Sequence, residues 1–123
     1  MEYDRALAQR WVNNLPALRV VAPVPDAEAD DEVLEILYDG DDLNRAWTVI
    51  TEIVRLAPDE DLVYVGAGPL ETLLREHGDQ LAELVEAAAA TDLRFRTALS
   101  SVITHGRITD IATKYFGDRT RPL

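Results

Sequence analysis

Cysteine is absent from this chain of 123 residues. Disulfides, thiolate metal sites and cysteine nucleophiles are therefore excluded, and a chain without cysteine fits the reducing cytoplasm. The chain also lacks any apolar run near the roughly 20 residues that a membrane span needs, and its first residues do not resemble a cleavable signal. We expect a cytoplasmic protein that does not enter a membrane.

Positive charge is scarce, and the acids are concentrated in the middle of the chain. The net charge is −11; residues 26–92 contain nineteen acids against three arginines, whereas residues 93–123 contain two acids against six basic residues. An acidic field repels phosphate backbones and attracts basic proteins, so we expect a basic protein partner and no direct contact with nucleic acid. The alternative is an acidic surface that only keeps the protein soluble.

The densest acidic segment, residues 26–42, is the candidate partner-binding region. Its acids are Asp26, Glu28, Asp30, Asp31, Glu32, Glu35, Asp39, Asp41 and Asp42. Its first part, DAEADDE at residues 26–32, lacks the glycine and the distal bidentate glutamate of a calcium-binding loop, so no metal site is predicted. Trp11 would add an aromatic anchor for a partner if its ring were exposed.

Residues suited to catalysis are few. His77 and His105 each precede a glycine where a helix is expected to end, a position that favours capping of the last carbonyls. The two histidines are not spaced as metal ligands, and the many adjacent carboxylates make any single pair weak support for acid–base chemistry. We therefore predict no catalytic residue and no cofactor, and the sequence does not favour an enzyme.

Apolar residues recur at helical spacing along most of the chain. Residues 43–56 form the clearest stripe, with Asp42 as the expected N-cap and Pro58 as the stop. Similar stripes predict a first helix capped by Asp4, a helix from Asp92 to Gly106, and further helices that contain residues 33–38, 70–74, 81–88 and 108–116. Residues 16–31 carry three prolines and predict an extended connection, in which residues 18–21 could form one short strand.

These patterns together predict an all-α fold. We expect five to seven short helices, packed as an irregular bundle or as a helical-repeat-like stack. The length of the chain suits a single helical domain over residues 1–123. Within it we distinguish a variable N-terminal part, residues 1–43, with the proline-containing connection, and a helical core, residues 44–116.

The stretch LVYVGAGPLE, residues 62–71, looks at first like a phosphate-binding loop. A dinucleotide loop needs a third glycine and a second strand, yet Glu71 occupies the third-glycine position and no second strand is predicted. Gly68 instead suits an N-cap and Pro69 the first helical position. Gly66 suits a backbone with positive φ, or close packing against another helix. The stretch therefore favours a structural corner between helices over a nucleotide site.

The run AGPLETLLREHGDQLAELVEAAAATDLRFRTAL, residues 67–99, resembles a family of small bacterial domains of unknown function. That family is characterised by an Ala-Gly-Pro-Leu-Glu-x-Leu-Leu core, a following His-Gly and a downstream Phe-Arg-x-x-Leu. The resemblance covers about residues 44–103 and implies a compact helical domain without implying an activity. Where the family tends to continue with a tryptophan, this chain has Val102-Ile103-Thr104. The matching positions are Ala67, Gly68, Pro69, Leu70, Glu71, Leu73, Leu74, His77 and Gly78, which we interpret as mainly architectural.

Three functional hypotheses follow. The first is a non-catalytic domain that presents its acidic segment to a basic protein, as an immunity protein, an antitoxin or a nucleic-acid-mimicking inhibitor would. The second is a small-molecule or nucleotide-binding module that uses the Gly-Ala-Gly-Pro turn and His77. The third is a structural subunit that self-associates, because the basic C-terminal residues could pair with the acidic middle of a second copy as well as of the same molecule.

Overall fold

The computed structural model describes residues 2–117, and the backbone there is predominantly helical. The helices are α1 Glu2–Val12, α2 Leu15–Arg19, α3 Ala27–Tyr38, α4 Leu43–Leu56, α5 Leu62–Val65, α6 Glu71–Thr91, α7 Leu93–Leu99 and α8 Gly106–Phe116. A 3₁₀ turn, Asp59–Asp61, precedes α5, and a π-helical turn, Gly66–Leu70, joins α5 to α6. The all-α prediction is confirmed.

The helices pack as an irregular bundle around one core. Helix α1 lies against both α3 and α4, α6 lies against α7 and α8, and α3 also contacts α6. In a helical-repeat stack each unit contacts only its neighbours, so the contact between α1 and α4 distinguishes this fold from such a stack. One cluster of buried apolar side chains extends from Leu7 in α1 to Ile111 in α8.

Helix α4 has the boundaries that its sequence predicts. Asp42 accepts a hydrogen bond from the backbone N–H of Arg45 at 3.0 Å, which is the expected N-cap. Ile50 and Ile53 on its apolar face are fully buried. Asp92 likewise caps α7, through the N–H of Arg94 at 2.9 Å. The two predicted caps are therefore confirmed.

The predicted strand at residues 18–21 is wrong. Residues 15–19 form α2, and a turn follows at Val20 and Val21. Pro16 lies in the first turn of α2, where the missing N–H breaks no intrahelical bond, so this proline starts a helix instead of forcing an extended chain. Both valines are exposed, and a lone segment with no partner strand gains nothing from β structure.

Asp4 is not the N-cap of the first helix. Helix α1 begins at Glu2, and the side chain of Asp4 is only 2% exposed. Its carboxylate accepts hydrogen bonds from Arg45, with Nη2 at 3.0 Å and Nε at 3.2 Å from Oδ1. Asp4 thus joins α1 to α4 through an ion pair whose carboxylate is buried and whose guanidinium is partly exposed, a role that local sequence patterns do not reveal.

The helix boundaries around the two histidines also differ from the prediction. The helix end predicted at His77 is found as a kink: its φ of −136° and ψ of 17° are not helical, and they divide α6 into two helical parts that follow one another directly. Helix α7 ends at Leu99, and His105 stands at the start of α8 instead of the end of a helix. Gly106 has a φ of +54°, the left-handed conformation predicted there, whereas Gly78 lies within α6.

Candidate functional site

The Gly66–Leu70 turn is a wider helical turn, and the predicted corner with Gly68 as N-cap is wrong. Pro69 has no N–H to bond the carbonyl of Val65, four residues earlier. The N–H of Glu71 instead reaches the carbonyl of Gly66, five residues back. One extra residue is thereby accommodated as a π-helical turn, a common way to absorb such an interruption, and the chain passes from α5 into α6 without leaving helical backbone.

Close packing explains Gly66, whose φ is −63° and therefore not positive. A Cβ at this position would overlap the carbonyl of Ala98 in α7 and the hydroxyl of Ser101. That hydroxyl also donates to the carbonyl of Val63 at 2.8 Å. Space beside the glycine is thus occupied by α7 and the residues after it, which is where a phosphate would have to approach in a nucleotide loop.

The rest of the predicted motif serves the same architecture. Leu70, Leu73 and Leu74 are buried, and so is Pro69, whereas Ala67 is exposed. Glu71 accepts the N–H of Ile103 at 2.8 Å, which ties the segment before α8 to the start of α6. A Cβ on Gly78 would lie 2.9 Å from Cγ1 of Ile108, so this glycine lets α8 approach α6.

His77 acts on another helix, not on its own. Its Nε2 lies 3.2 Å from the carbonyl of Tyr38, the last residue of α3. An imidazole at that position interacts favourably with the free carbonyls of a helix C-terminus. The capping predicted for His77 on its own helix is not what the structure shows; His77 stabilises the C-terminus of α3, which places the motif against the acidic segment.

The acidic segment divides into inward and outward side chains. Asp26 caps α3 by accepting the N–H of Ala29 at 3.0 Å, and it binds Arg10 through two hydrogen bonds of 2.7 and 3.0 Å. The guanidinium of Arg10 and the N–H of Ala29 hold the pKa of Asp26 below its ordinary value. An aspartate directly before a helical stripe is a typical N-cap, a signal that the sequence contained.

Four further acids of the segment bind within the protein. Asp30 accepts the indole N–H of Trp11 at 3.1 Å. Glu32 accepts the hydroxyl of Tyr3 at 2.6 Å, and this hydrogen bond to the carboxylate raises the pKa of Tyr3. The last two, Asp39 and Asp42, shape the turn between α3 and α4: Asp39 accepts the N–H of Asp41 at 2.8 Å, and Asp42 caps α4.

Glu28, Asp31 and Glu35 instead line the outward side of α3. They line a groove of about 530 Å³ together with Glu32, Ile36, Asp39 and Arg45. Positions 28, 31, 35 and 39 recur at helical spacing, so their carboxylates fall on one side of the helix. We call Glu28, Asp31, Leu34, Glu35, Tyr38 and Asp39 the acidic face.

Two large apolar side chains are exposed within the acidic face. Leu34 is 45% exposed and Tyr38 is 48% exposed, and both border a shallow depression with Asp31, Glu35 and Asp39. Both belong to the apolar stripe of residues 33–38 that predicted this helix, a pattern that favours burial, yet the buried residues of α3 are Ala29, Val33, Ile36 and Leu37. A single exposed leucine needs no explanation, but a leucine and a tyrosine among carboxylates form a mixed surface typical of protein recognition.

Trp11 is not available as an exposed anchor. Its side chain is 4% exposed, and its indole N–H is bound to Asp30. Trp47, in the apolar stripe of residues 43–56, is half-buried and packs against Phe95 with ring centroids 5.5 Å apart. Trp11 therefore does not project from the surface as the anchor that the sequence allowed.

The basic residues of the C-terminal part bind within the same molecule as far as the structure describes them. Arg94 donates to the carbonyls of Val54 and Ala57 and pairs with Asp59. Arg96 donates to the carbonyl of Ala89 and lies over the ring of Tyr115. Arg107 binds Asp79, and Lys114 lies 3.9 Å from Glu86. Arg119 and Arg121 lie outside the described residues, and self-association stays a prediction.

Residues 2–117 contain neither a cluster of metal ligands nor a membrane-spanning helix. No three side chains of the His, Cys, Asp and Glu types are placed there to hold a metal ion together. Within the same residues, no helix combines the length and the apolar character needed to cross a membrane. The acidic face is consequently a surface of separate carboxylates, not an assembled ligand set.

Family comparison agrees with the predicted resemblance. The chain belongs to a family of unknown function (DUF6869), whose model matches residues 25–114. The match includes α3 and the whole acidic face, so it extends further toward the N-terminus than the predicted residues 44–103. Comparisons with curated proteins and with solved structures find no match. The bacterial source stays a prediction.

Proposed function

We propose that this protein is a non-catalytic binding domain that uses the acidic face of α3 to hold a basic protein. The observation that carries the proposal is the combination of carboxylates at helical spacing with exposed Leu34 and Tyr38. Carboxylates on a surface accelerate encounter with a basic partner, while apolar side chains supply contact area that slows its release.

Several acids of the segment already accept hydrogen bonds within the fold, so we do not expect them to make the first contact with the partner. Asp26, Asp30 and Asp42 each accept a hydrogen bond from another residue of this chain. Glu28, Asp31 and Glu35 are exposed on the acidic face. We expect the partner to contact these three acids first, so the nine predicted positions are reduced to three.

Immunity proteins, antitoxins and nucleic-acid-mimicking inhibitors are acidic binding domains of the proposed kind. Each would use negative charge to occupy a basic surface on its target. We take the protein to work in the cytoplasm of a bacterial cell, a setting that its cysteine-free composition and the resemblance suit. The basic partner, not the acidic domain, would contact nucleic acid.

The test is capture of a partner by two variants with the same change of charge. One carries Glu28→Gln, Asp31→Asn and Glu35→Gln; the control carries Glu2→Gln, Glu60→Gln and Asp110→Asn, three exposed acids outside the acidic face. Tagged wild type and both variants are incubated with host lysate, washed at low and then at high salt, and the bound proteins are identified by mass spectrometry.

We expect the wild type and the control to retain a basic protein that high salt releases, and the face variant to lose it. The association rate of the purified pair should fall as ionic strength rises. Equal retention by the two variants, or an association rate that salt does not change, would contradict the proposed function.

A further inference from the structure

A second concavity lies beside the acidic face, between α1, α3 and the Gly66–Leu70 turn. It has a volume of about 260 Å³, and its walls include Trp11 from α1, Asp30 and Leu34 from α3, Tyr64 from α5 and Thr72 from α6. This volume is below the roughly 300–1,000 Å³ of sites for drug-sized ligands. The pocket therefore suits one side chain or a ligand of similar size.

The chemistry of the walls selects a cation with an apolar stem. Asp30 is the charged residue of the pocket, and most other walls are apolar or aromatic. The hydrogen bond from Trp11 leaves Asp30 able to accept more, because each carboxylate oxygen has two lone pairs. Aromatic rings such as those of Trp11 and Tyr64 attract cations over their faces.

Charge and hydrogen bonding argue against a phosphate in the same pocket. A phosphate would be repelled by Asp30, and the hydroxyl of Thr72 already donates to the carbonyl of Gly68 at 3.2 Å. Burial raises the pKa of Tyr64, and the negative charge of Asp30 raises it further. The contribution of Asp30 reflects a negative electrostatic potential at the Tyr64 hydroxyl. The nucleotide hypothesis for the Gly-Ala-Gly-Pro turn thus finds a pocket of unsuitable charge.

Leu34 connects the pocket with the acidic face. It borders both the pocket and the shallow depression formed by Asp31, Glu35, Tyr38 and Asp39. A chain lying on the acidic face can therefore insert a side chain past Leu34 without leaving the surface of the domain. The pocket adjoins the proposed interface at Leu34 and has the charge that a basic partner complements.

We propose that the pocket lined by Trp11, Asp30 and Tyr64 receives a lysine or arginine side chain of the basic partner. This inference rests on the proposed function and specifies its anchor. The aliphatic stem lies against the leucines of the pocket, and the cationic head donates to Asp30. Glu28, Asp31 and Glu35 govern encounter with the partner, whereas the pocket governs how long the partner stays bound.

The first experiment uses n-butylguanidinium as the probe and nuclear magnetic resonance as the measurement. The chain has two tryptophans, so the indole N–H of Trp11 reports the pocket and that of Trp47, which packs on Phe95, serves as an internal reference. For a ligand of about eight heavy atoms we expect a saturable shift of the Trp11 signal, with a dissociation constant on the order of 1 mM.

Asp30→Asn is the matched variant for the pocket. The amide oxygen of asparagine can still accept the Trp11 N–H, so the fold is retained while the charge is removed. We expect the dissociation constant of n-butylguanidinium, measured from the Trp11 shift, to rise about tenfold in this variant and to stay unchanged in Asp31→Asn. An unmoved Trp11 signal, an equal shift by neutral n-pentanol, or a stronger shift by adenosine monophosphate would overturn the assignment.

Kinetics with the captured partner separate this inference from the proposed function. Asp30→Asn should raise the dissociation rate about tenfold and leave the salt dependence of association unchanged. The Glu28→Gln, Asp31→Asn, Glu35→Gln variant should mainly slow association. If that variant loses the partner while Asp30→Asn dissociates like the wild type, the pocket is not the anchor and the proposed function still stands.

Discussion

The Gly66–Leu70 turn and the acidic face of α3 are both candidate binding sites in the sequence. In the structure the first is filled by protein atoms and the second is open to solvent. In the turn, the space beside Gly66 is filled by the carbonyl of Ala98. On the acidic face, Glu28, Asp31 and Glu35 border an open groove. A motif that resembles a ligand site can thus serve only the packing of helices, whereas surface carboxylates without a motif can form the candidate interface.

The largest expected effect tests the turn. Gly66→Ala should destabilise the fold by about 3 kcal/mol or more, because its Cβ would overlap backbone that cannot rotate away. Gly68→Ala is the control, since the nearest atom outside its chain neighbours would be Cε1 of Tyr64 at 3.8 Å from its Cβ; it should cost less than about 1 kcal/mol, the remaining cost coming from Pro69, which disfavours a Cβ on the preceding helical residue. Chemical unfolding measures both, and equal stability of the two variants would refute the packing role.

The second-largest expected effect compares an arginine paired with a buried carboxylate and an arginine paired with an exposed one. Arg45→Met should cost about 2 kcal/mol, because it leaves the buried carboxylate of Asp4 without its cation. The cost is below that of a fully buried pair, since Arg45 is itself partly exposed. Arg75→Met, which removes an exposed arginine near Glu76, should change the free energy of unfolding by less than about 0.5 kcal/mol. Thermal unfolding of the two variants would disprove the contrast if their midpoints coincided.

A smaller effect separates two acids five residues apart in α3 and its cap. Asp26→Ala should cost about 1 kcal/mol through loss of the N-cap, while Asp31→Ala should stay within about 0.5 kcal/mol of the wild type. The pKa of Asp26 is lowered by folding, so its ionic contribution is complete above its ordinary value of 3.8 and is lost as pH falls through the lowered value. The difference between the variants should therefore shrink in acid, and a difference that grows below pH 3.8 would contradict the sign.

The smallest effect is expected on the acidic face itself. Glu28→Gln, Asp31→Asn and Glu35→Gln together should leave the free energy of unfolding within about 0.5 kcal/mol of the wild type. Any change should be a slight gain at low salt, because repulsion among like charges is reduced. Urea unfolding at two salt concentrations measures it. A loss above about 1 kcal/mol would mean that these acids support the fold.

Local patterns predicted the parts of the fold that depend on near neighbours. Asp42 and Asp92 cap helices, residues 43–56 form α4 and the Leu73–Leu74 pair is buried, because capping and periodicity act within a few residues. The prediction failed at Pro16 and at Pro69. A proline can interrupt a helix, but it can also lie in the first turn of a helix, as Pro16 does, or within a π-helical turn, as Pro69 does. The choice there depends on what packs against the segment.

The candidate site was predicted only in outline. Residues 26–42 were identified from charge, but the sequence did not show that Asp26 and Asp30 bind Arg10 and Trp11. Leu34 and Tyr38 were expected inside because their spacing also fits a buried stripe. Which side of an amphipathic helix faces its neighbours is decided by those neighbours, here α1, α4 and α6.

The sequence by itself determined that this protein is helical, acidic in its middle and without cysteine chemistry, because composition and short-range periodicity are properties of the chain alone. Only the tertiary structure decided which acids are used for folding and which stay on the surface. It also decided that Gly66 accommodates α7 and that a small acidic pocket opens beside Trp11. Those outcomes depend on contacts between residues 19 to 41 positions apart, which no local pattern encodes.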